Sequence, residues 1–486
     1  MSSDRSRWVA LAVLCTGTLM IVLDVTVVNV ALPAIQNDLG FTQSGLAWVV
    51  NAYLIAFGGL LLLAGRMGDL LSRRGVFLAG LGVFVVASLA CGLAGSQEVL
   101  IAARFVQGVG GAMTSAVVLG MIVTMFPGPR ERARAIGVYS FVASAGGSIG
   151  LLAGGVLTQG LNWHWIFFIN LPIGLATVVA AVRLLPRERS AGIGRGVDAL
   201  GAVLITAALM LGVYTIVKPA AELGWGAGQT LGFGGVSLAL LVLFLIREAT
   251  ARNPLVPLRI FRSSDVSGAN LIQALTVAGM FGMFFLGVLY LQRVLGYDSL
   301  GTGLAFLPVT IVMGTLSLRY SERLVTRFGA RSTLLAGLVL IGAGLALFAR
   351  VPVDGTYLVD VMPATLLLAV GSGGSFPALA TLAMSGATAD DAGLASGLFN
   401  TTAQVGAALG LAVLATLSAT RTEQLAGGGP ADAAALTGGY RLAFLIGAAL
   451  VAVSFAVALS VLKRGRTEPE ESRGTVRDEL PVHAGL

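Results

Sequence analysis

The sequence predicts an all-α integral membrane protein built from fourteen membrane-spanning helices. Of its 486 residues, 56% are hydrophobic and only 11% are charged, with a mean hydropathy of +0.88. A soluble domain carries about 25% charged residues. A spanning helix needs about 20 mostly apolar residues, and fourteen runs of that kind follow one another along the chain.

The apolar runs leave no room for a soluble domain, because the longest polar segment is the tail at 463–486. Each run is predicted to be one helix, since a backbone in lipid has to satisfy its own hydrogen bonds. The runs lie at 8–32, 45–65, 76–95, 98–126, 134–158, 163–184, 198–217, 230–247, 267–291, 299–318, 332–350, 357–381, 392–418 and 440–462.

The basic residues are distributed unevenly between the two sides of the membrane that these runs define. With the N-terminus inside, five of the 31 basic residues lie outside and Arg104 lies within a span. The five are Lys218, Arg293, Arg350, Arg421 and Arg441. This bias follows the positive-inside rule and predicts that both termini are cytoplasmic. One inside loop, between the twelfth and thirteenth runs, instead carries Asp390 and Asp391 and no basic residue.

Asp24 is a carboxylate within the first apolar run, and every residue from Trp8 to Leu23 is uncharged. A charge in that position costs roughly 2.5–3.5 kcal/mol on insertion scales. Asp24 stands about 24 Å along its helix, and Arg104 about 9 Å into the fourth run from the other side. We therefore expect the two at a similar depth in the outer half. They form either a static ion pair that braces two spans or, as we prefer, part of a transport pathway.

Two segments with basic residues and a glycine occupy corresponding positions. GRMGDLLSRRGVFL (65–78) follows the second run, and ERLVTRFGAR (322–331) follows the tenth. Runs one to six and nine to fourteen are therefore predicted to be two similar halves with a binding site between them. The predicted division is an N-terminal cytoplasmic tail at 1–7, an N-terminal half at 8–184, a linker with two extra helices at 185–250, a C-terminal half at 251–462 and a disordered cytoplasmic tail at 463–486.

Polar residues scattered along the spans have two interpretations. They form hydrogen bonds between helices, or they line a cavity with few fixed charges. The residues are Asn29, Asn51, Tyr53, Gln107, Asn170, Gln273, Asn400 and Gln404. Phe281 offers either adaptable apolar contact or ordinary packing. The candidates for a substrate cavity are Asn29, Asn51, Tyr53, Gln107, Gln273, Phe281, Asn400 and Gln404.

Six motifs carry a resemblance to a known family. They are LDVTVVNVALP (23–33), GRMGDLLSRRG (65–75), AARFVQGVGGA (102–112), GGSIGLLAGG (146–155), WHWIFFINLPIG (163–174) and GLASGLFNTTAQVGAALG (393–410). In this order and at these positions, they resemble the major facilitator superfamily and, within it, the 14-span drug:proton antiporters. The resemblance covers residues 8–462.

The resemblance implies a major facilitator fold, with two six-helix halves, two extra central helices and both termini cytoplasmic. It implies a proton-coupled efflux antiporter that exports amphipathic compounds, such as drugs and antibiotics, by alternating access. Because Asp24 is the one clear carboxylate within a span, we expect mostly monovalent cationic or neutral substrates. Proton coupling is assigned to Arg104, and proton or cation binding to Asp24. The antiporter motif of the fifth run places its glycines at Gly146, Gly150, Gly154 and Gly155. The expected partners are a small-molecule substrate, protons and the lipid bilayer, with the chain acting as a monomer in the cell membrane.

Three residues depart from the family pattern. Leu151 replaces the motif proline of the fifth run, and His164 stands where relatives often have arginine. Thr326 replaces, in the second copy of the loop motif, the acid that is Asp69 in the first. These departures affect the expected kink of the fifth helix and the completeness of the second loop motif.

The loop motif is a candidate gate on the inner side. Its residues are Gly65, Gly68, Asp69, Arg73, Arg74 and Gly75. By resemblance, Asp69 docks at a helix N-terminus of the other half, where the helix dipole favours an anion. Asp390 and Asp391 at the start of run thirteen are possible partners of Arg73 or Arg74. The alternative is that Asp69 is a solvated loop charge.

The sequence carries no sign of an enzyme. It has no GxxxxGKS or GxxxxGKT phosphate loop and no HExxH or CxxC motif, so neither ATP, a metal, a cofactor nor nucleic acid is expected as a partner. Three other functions stay open: a dedicated exporter of one endogenous metabolite, a proton-coupled importer, and a non-transporting membrane sensor or scaffold.

Overall fold

A computed structural model of the chain describes residues 3–42, 45–126, 129–185, 198–251, 254–255, 258–385, 392–427 and 429–462. Regular structure in these ranges is helical throughout and includes no strand, which confirms the all-α prediction. Asp390, Asp391 and the tail at 463–486 lie outside the described residues.

The helices fall into two long stretches of the chain. The first ten are α1 (Ser3–Leu39), α2 (Ala47–Leu70), α3 (Arg73–Gly92), α4 (Gln97–Met125), α5 (Pro129–Gly160), α6 (Trp165–Phe168), α7 (Asn170–Leu184), α8 (Ala199–Val217), α9 (Pro219–Leu223) and α10 (Gly228–Thr250). The other seven are α11 (Ser264–Leu289), α12 (Ser299–Thr315), α13 (Ser321–Phe328), α14 (Ala330–Phe348), α15 (Met362–Ser385), α16 (Ala392–Ala426) and α17 (Ala433–Val461).

Among the described residues, eleven helices are long and apolar enough to cross a membrane. Three further apolar stretches, 47–61, 149–160 and 299–315, are shorter. Every one of the fourteen apolar runs overlaps a helix, because a run of that length and hydropathy has only intrahelical partners for its backbone in lipid.

Serine side chains begin two of the helices that carry the site. Ser72 Oγ accepts from Gly75 N at 3.2 Å at the start of α3, and Ser96 Oγ accepts from Val99 N at 3.4 Å at the start of α4. Each satisfies an amide that the first helical turn leaves without a backbone partner.

Contacts between helices define two groups and an extra pair. In the first group, α1 to α7, α4 packs on α2 and α3, and α1 packs on α5 and α7. In the second group, α11 to α17, α11 packs on α16 and α17, and α15 packs on α12 and α14. The extra pair, α8 and α10, packs together, and α8 also touches α2 and α16.

The two groups meet mainly through α2 with α16 and α5 with α12. Small residues allow these approaches. A Cβ at Gly58 would lie 2.7 Å from Gln404 Cβ, and one at Gly303 would lie 2.7 Å from Leu151 O. Small residues at such crossings are the usual means by which helices associate in lipid.

Three hydrogen bonds join the groups at one end of the bundle, which we call the outer end because the charge distribution predicts that it faces outside. Gln292 Nε2 donates to Val30 O at 3.1 Å, and Arg293 Nη2 donates to Gln36 Oε1 at 2.5 Å. Gln159 Nε2 donates to Asp298 Oδ2 at 2.7 Å. The outer ends of α1 and α5 are therefore held against the second group.

Candidate functional site

The Asp24 carboxylate is the centre of a buried polar cluster inside the first group. Arg104 Nη1 donates to Asp24 Oδ2 at 2.5 Å, and Gln107 Nε2 donates to Oδ1 at 2.7 Å. Asn170 Nδ2 donates to the same Oδ1 at 2.9 Å. Each oxygen thus accepts from nitrogen donors, the geometry of an ionised carboxylate, which has acceptors only. The predicted proximity of Asp24 and Arg104 is present in the structure.

Arg104 is held from three sides. Its Nε donates to Val49 O at 2.9 Å, and its Nη1 also donates to Gln107 Oε1 at 2.6 Å. The Tyr53 ring centroid lies 4.5 Å from its Cζ, within the range of a cation–π interaction. A guanidinium with only 1% exposure requires such partners, because an unpaired buried charge is strongly destabilising.

A second ring of side chains positions the amides. Gln107 Nε2 donates to Ser88 Oγ at 2.7 Å, and Asn170 Nδ2 lies 3.3 Å from the same hydroxyl. Cys91 Sγ lies 3.6 Å from Gln107 Oε1. The cluster therefore draws side chains from α1, α3, α4 and α7, with α2 closing it through Val49 and Tyr53.

Sequence reasoning did not place Ser88 and Asn170 at this site. Both are neutral residues in apolar helices, and the sequence identifies Asn170 only as one of several polar residues scattered along the spans. Asn170 opens α7 after the short α6, in the segment WHWIFFINLPIG. That motif is the feature of the sequence that singles out Asn170. The spacing of Asn170 from other polar residues does not show that it faces Asp24, and its side chain is neutral.

Four cavity candidates carry buried polar atoms that have no hydrogen-bond partner in the described part of the chain. They are Asn29 Oδ1, both side-chain atoms of Asn51, Tyr53 OH and Gln273 Oε1. Such an atom costs about 1–3 kcal/mol when it stays unpaired. Each of these atoms therefore has an unmet hydrogen bond among the described residues.

The remaining cavity candidates lie on three helices. Gln107 belongs to the Asp24 cluster, and Gln404 is half-buried where α16 meets α2. Phe281 is half-buried on α11, and Asn400 is exposed on α16.

The glycines of the antiporter motif lie where α5 packs between α1 and α12. A Cβ at Gly150 would overlap Thr26 Oγ1, and one at Gly154 would lie 2.8 Å from Val27 O. Gly146 faces Val22 of α1. A Cβ at Gly155 would lie 2.8 Å from Leu300 Cα of α12. Leu151 replaces the motif proline, and α5 continues through it as one helix.

The described part of the loop motif packs within the first group. A Cβ at Gly68 would overlap Val117 Cγ1, and one at Gly120 would lie 3.1 Å from Arg73 Nε, so both contacts bring the motif against α4. Arg74 Nη2 donates to Val182 O of α7 at 2.5 Å. The side chain of Asp69 lies outside the described part, as do the acids at 390 and 391.

His164 lies at the outer end of the first group. Its Nδ1 lies 3.0 Å from Gly92 O, and its ring stacks on Trp163 with centroids 3.8 Å apart. Trp163 Nε1 donates to Asp38 Oδ2 at 2.9 Å. His164, which departs from the family pattern, therefore connects the start of α6 to the end of α3, and the neighbouring Trp163 connects the same turn to α1.

Comparison with known proteins agrees with this architecture. A family model described as Major Facilitator Superfamily matches residues 14–411. The chain is 37% identical over 481 residues to a puromycin resistance protein of Streptomyces alboniger, covering 97% of this chain and 94% of that one. It is 40% identical over 464 residues to a cephamycin export protein of Amycolatopsis lactamdurans, covering 95% and 93%.

Solved structures give the same fold at low identity. The human organic anion transporter MFSD10 aligns with a TM-score of 0.62 at 16% identity, over 93% of this chain and 99% of that one. A bacterial homolog of the human lysosomal transporter Spinster aligns with a TM-score of 0.64 at 16% identity, over 93% and 96%. With its many apolar helices, the chain is thus a multi-pass membrane transporter rather than an enzyme, and it belongs to the Major Facilitator Superfamily.

Proposed function

We propose that the chain is a proton-coupled efflux antiporter that exports antibiotics and other amphipathic compounds, neutral or monovalent cationic, across the cell membrane. The observation that carries this proposal is the buried Asp24–Arg104 pair, an ionisable site sealed inside a transporter. The relatives support the direction of transport, since they are named for resistance to puromycin and for export of cephamycin.

In the coupling step, a proton replaces Arg104 as the partner of the Asp24 carboxylate. A proton that enters from outside neutralises the carboxylate, and the ion pair with Arg104 is lost. Gln107 Oε1 already accepts from Arg104 at 2.6 Å, so the guanidinium keeps an acceptor when the carboxylate is neutral. The cost of leaving Arg104 unpaired is thereby reduced, which makes the protonated state accessible.

The available energy favours substrates of low charge. One proton charge that moves through 100 mV supplies about 2.3 kcal/mol before any pH gradient is counted. With Asp24 as the intramembrane carboxylate of this cluster, we propose export of neutral or monovalent compounds. Robust export of dications by the purified, reconstituted protein would contradict this.

Alternating access is proposed to be a rocking of the two groups, which we assign as the N-terminal half at 8–184 and the C-terminal half at 251–462, joined by the linker at 185–250. The outer hydrogen bonds of Gln292, Arg293 and Gln159 support assignment of this structure to a state closed on the outside. The inner gate is proposed to be Asp69 of the loop motif. An Asp69→Asn variant that transports normally would remove that role.

We further propose fourteen spans with both termini in the cytoplasm. The overlap of all fourteen apolar runs with helices supports the count, and the charge bias supports the orientation. A fluorescent protein fused after residue 486 should fluoresce, and alkaline phosphatase fused at Gly427 should be active. The reverse pattern would exclude this orientation.

Everted membrane vesicles test the function directly. When the lumen is acidified by respiration, addition of a transported compound should release protons from the lumen, and the release should depend on Asp24. A panel should contain puromycin and a cephamycin, because relatives are named for them. Release with one compound only would indicate a dedicated exporter. The absence of release across a broad panel would favour a non-transporting role.

A further inference from the structure

A groove opens between α14 and α17 at the outer end of the second group. Its volume is about 310 Å³, and it is lined by Ala346, Ala349, Arg350, Arg441, Leu442 and Leu445. Both helices expose large apolar side chains beside it; Leu347 is 41% exposed and Leu445 is 57% exposed. In a membrane protein, a surface of this kind is in contact with lipid.

The groove is charged at its rim and apolar below it. The chain runs towards the outer end along α14 and away from it along α17. Ala346 therefore lies about one turn deeper than Arg350, and Leu445 about one turn deeper than Arg441, roughly 5–6 Å in each case. A phospholipid has the same order of chemistry along its length, with a phosphate above and an acyl chain below.

The two arginines are unusual for their side of the membrane. They are two of the five basic residues that the charge distribution places outside, and both line one groove. Arg441 Nε donates to Val351 O at 2.7 Å, which fixes the guanidinium at the rim. Across the described residues, neither arginine forms an ion pair with an acidic side chain. Among the described residues, the groove thus carries two guanidinium groups without a carboxylate partner. Asp354 and Asp360, whose charges act on Tyr290 together with that of Arg441, do not line the groove.

We propose that this groove binds an anionic phospholipid of the outer leaflet, with its phosphate between Arg350 and Arg441 and an acyl chain along Ala346 and Leu445. Arginine recognises phosphate oxygens through paired N–H donors. Basic pockets between spanning helices bind anionic headgroups on the cytoplasmic side of membranes, and this groove has the same chemistry on the outer side. A zwitterionic lipid adds a cationic group, and no acidic side chain lines the groove. A soluble anion leaves the apolar floor of the groove uncovered. This site is separate from the Asp24 cluster and from the proposed transport pathway.

Native mass spectrometry of the full chain tests the proposal. Purified protein in detergent is mixed with equal amounts of phosphatidylglycerol and phosphatidylcholine. We expect one phosphatidylglycerol to be retained with a preference of about 30-fold, because each basic residue near an anionic headgroup contributes about five-fold. Arg350→Gln should lower the preference about five-fold and leaves the Arg441–Val351 bond in place. Arg350→Gln with Arg441→Gln should abolish the preference.

Arg421→Gln is the matched control, since Arg421 is also an exposed outer arginine but contacts Gln424 of its own helix. It should retain the wild-type preference. Equal retention of the two lipids by the wild type would overturn the proposal, as would a wild-type preference in Arg350→Gln or an equal loss in Arg421→Gln. Displacement of the bound lipid by millimolar inorganic phosphate would identify the groove as a site for soluble anions instead.

Discussion

At the scale of single residues, Asp24 is distinguished by the origin of its donors. Arg104 and Gln107 come from α4 and Asn170 from α7, so two other helices of the first group contribute to one carboxylate. The cluster is a connected polar network, and in such networks the loss of one member alters the others. Predictions for this site therefore concern coupling between residues as well as each residue alone.

Asp24→Asn should abolish compound-dependent proton release in everted vesicles, because an amide cannot exchange the proton. We expect a loss of at least about 100-fold, the usual scale when a charged partner worth about 3 kcal/mol is removed. Asp24→Glu keeps the carboxyl and should retain part of the activity, and Glu98→Gln, at an exposed acid in the first turn of α4, should behave as wild type. Normal pumping by Asp24→Asn would show that the carboxylate is not the coupling site.

Asn170→Ala tests a residue that positions Asp24. It removes a hydrogen bond to a charged group, which contributes about 1.5–3 kcal/mol, so transport should fall about 10- to 100-fold. Because Ser88 remains beside Gln107, the protein should still fold, as size-exclusion chromatography will show. Asn37→Ala, at an exposed position of α1, is the control. Equal transport by the two variants would mean that Asn170 has only a packing role.

The sequence was sufficient to predict the pair but not its surroundings. Asp24 and Arg104 each interrupt an apolar run, and that energetic anomaly marks them without any structure. Ser88 and Asn170 carry no charge, and a neutral polar residue in a span has many ordinary uses. Their role depends on how α3 and α7 are rotated towards α1, and that rotation is not encoded in any local pattern.

At the scale of helices, α5 shows how a glycine motif acts through packing. It lies between α1, which carries Asp24, and α12 of the second group. Its glycines bring the backbones close on both sides, so a side chain there would separate the helices. The glycine motif can be identified from the sequence, but the two helices that it contacts, α1 and α12, cannot.

Gly150→Ala should destabilise the protein, because the added Cβ would overlap Thr26 Oγ1. Overpacking of this kind costs about 1–3 kcal/mol, which should lower the thermal unfolding midpoint in detergent. Gly147→Ala is a matched control three residues away, where the nearest atom to the new Cβ is Thr310 Cγ2 at 3.8 Å. If both variants unfold at the wild-type temperature, the close approach of α1 and α5 is not required for stability.

Helix boundaries were less predictable than helix existence. The first run was expected to end at residue 32, and α1 continues to Leu39. The sixth run was expected to be one helix, and it is divided into α6 and α7 next to Asn170. Hydropathy indicates which residues of a helix lie in the lipid. Where a helix ends beyond the lipid, and where it breaks within a span, depends on capping and tertiary contacts.

At the scale of the whole molecule, the outer hydrogen bonds make one closed end. Two of them use charged groups, Arg293 with Gln36 and Asp298 with Gln159. A part-buried hydrogen bond to a charged group, such as that of Arg293, contributes about 1.5–3 kcal/mol, comparable to the free energy of one proton moved through 100 mV. The Asp298 bond is exposed and contributes less. The relative placement of the two groups was not predictable, because it depends on contacts between distant parts of the chain.

Arg293→Ala combined with Gln159→Ala, which removes both bonds and keeps the Asp298 cap of α12, should shift the protein towards an outward-open state. Spin labels at Asn37 and Val353, both exposed at the outer end, should then show a larger population at long distance. Cys15 and Cys91 are buried, so labelling at the two introduced cysteines will be selective. Arg421→Ala should leave the distance distribution unchanged. An unchanged distribution in the double variant would mean that these bonds do not hold the outer end closed.

The helix α1 carries both Asp24 and the outer contacts at Val30 and Gln36, twelve residues or less away from it. In the proposed orientation, Gln36 and Arg293 lie on the extracellular side. A molecule that bridges these two residues would therefore arrest the transport cycle without entering the cell or competing for the substrate site. The outer end of α1 is therefore a target for an inhibitor that acts from outside the cell. The transporter cannot lower the concentration of such an inhibitor by exporting it, because the inhibitor never has to cross the membrane.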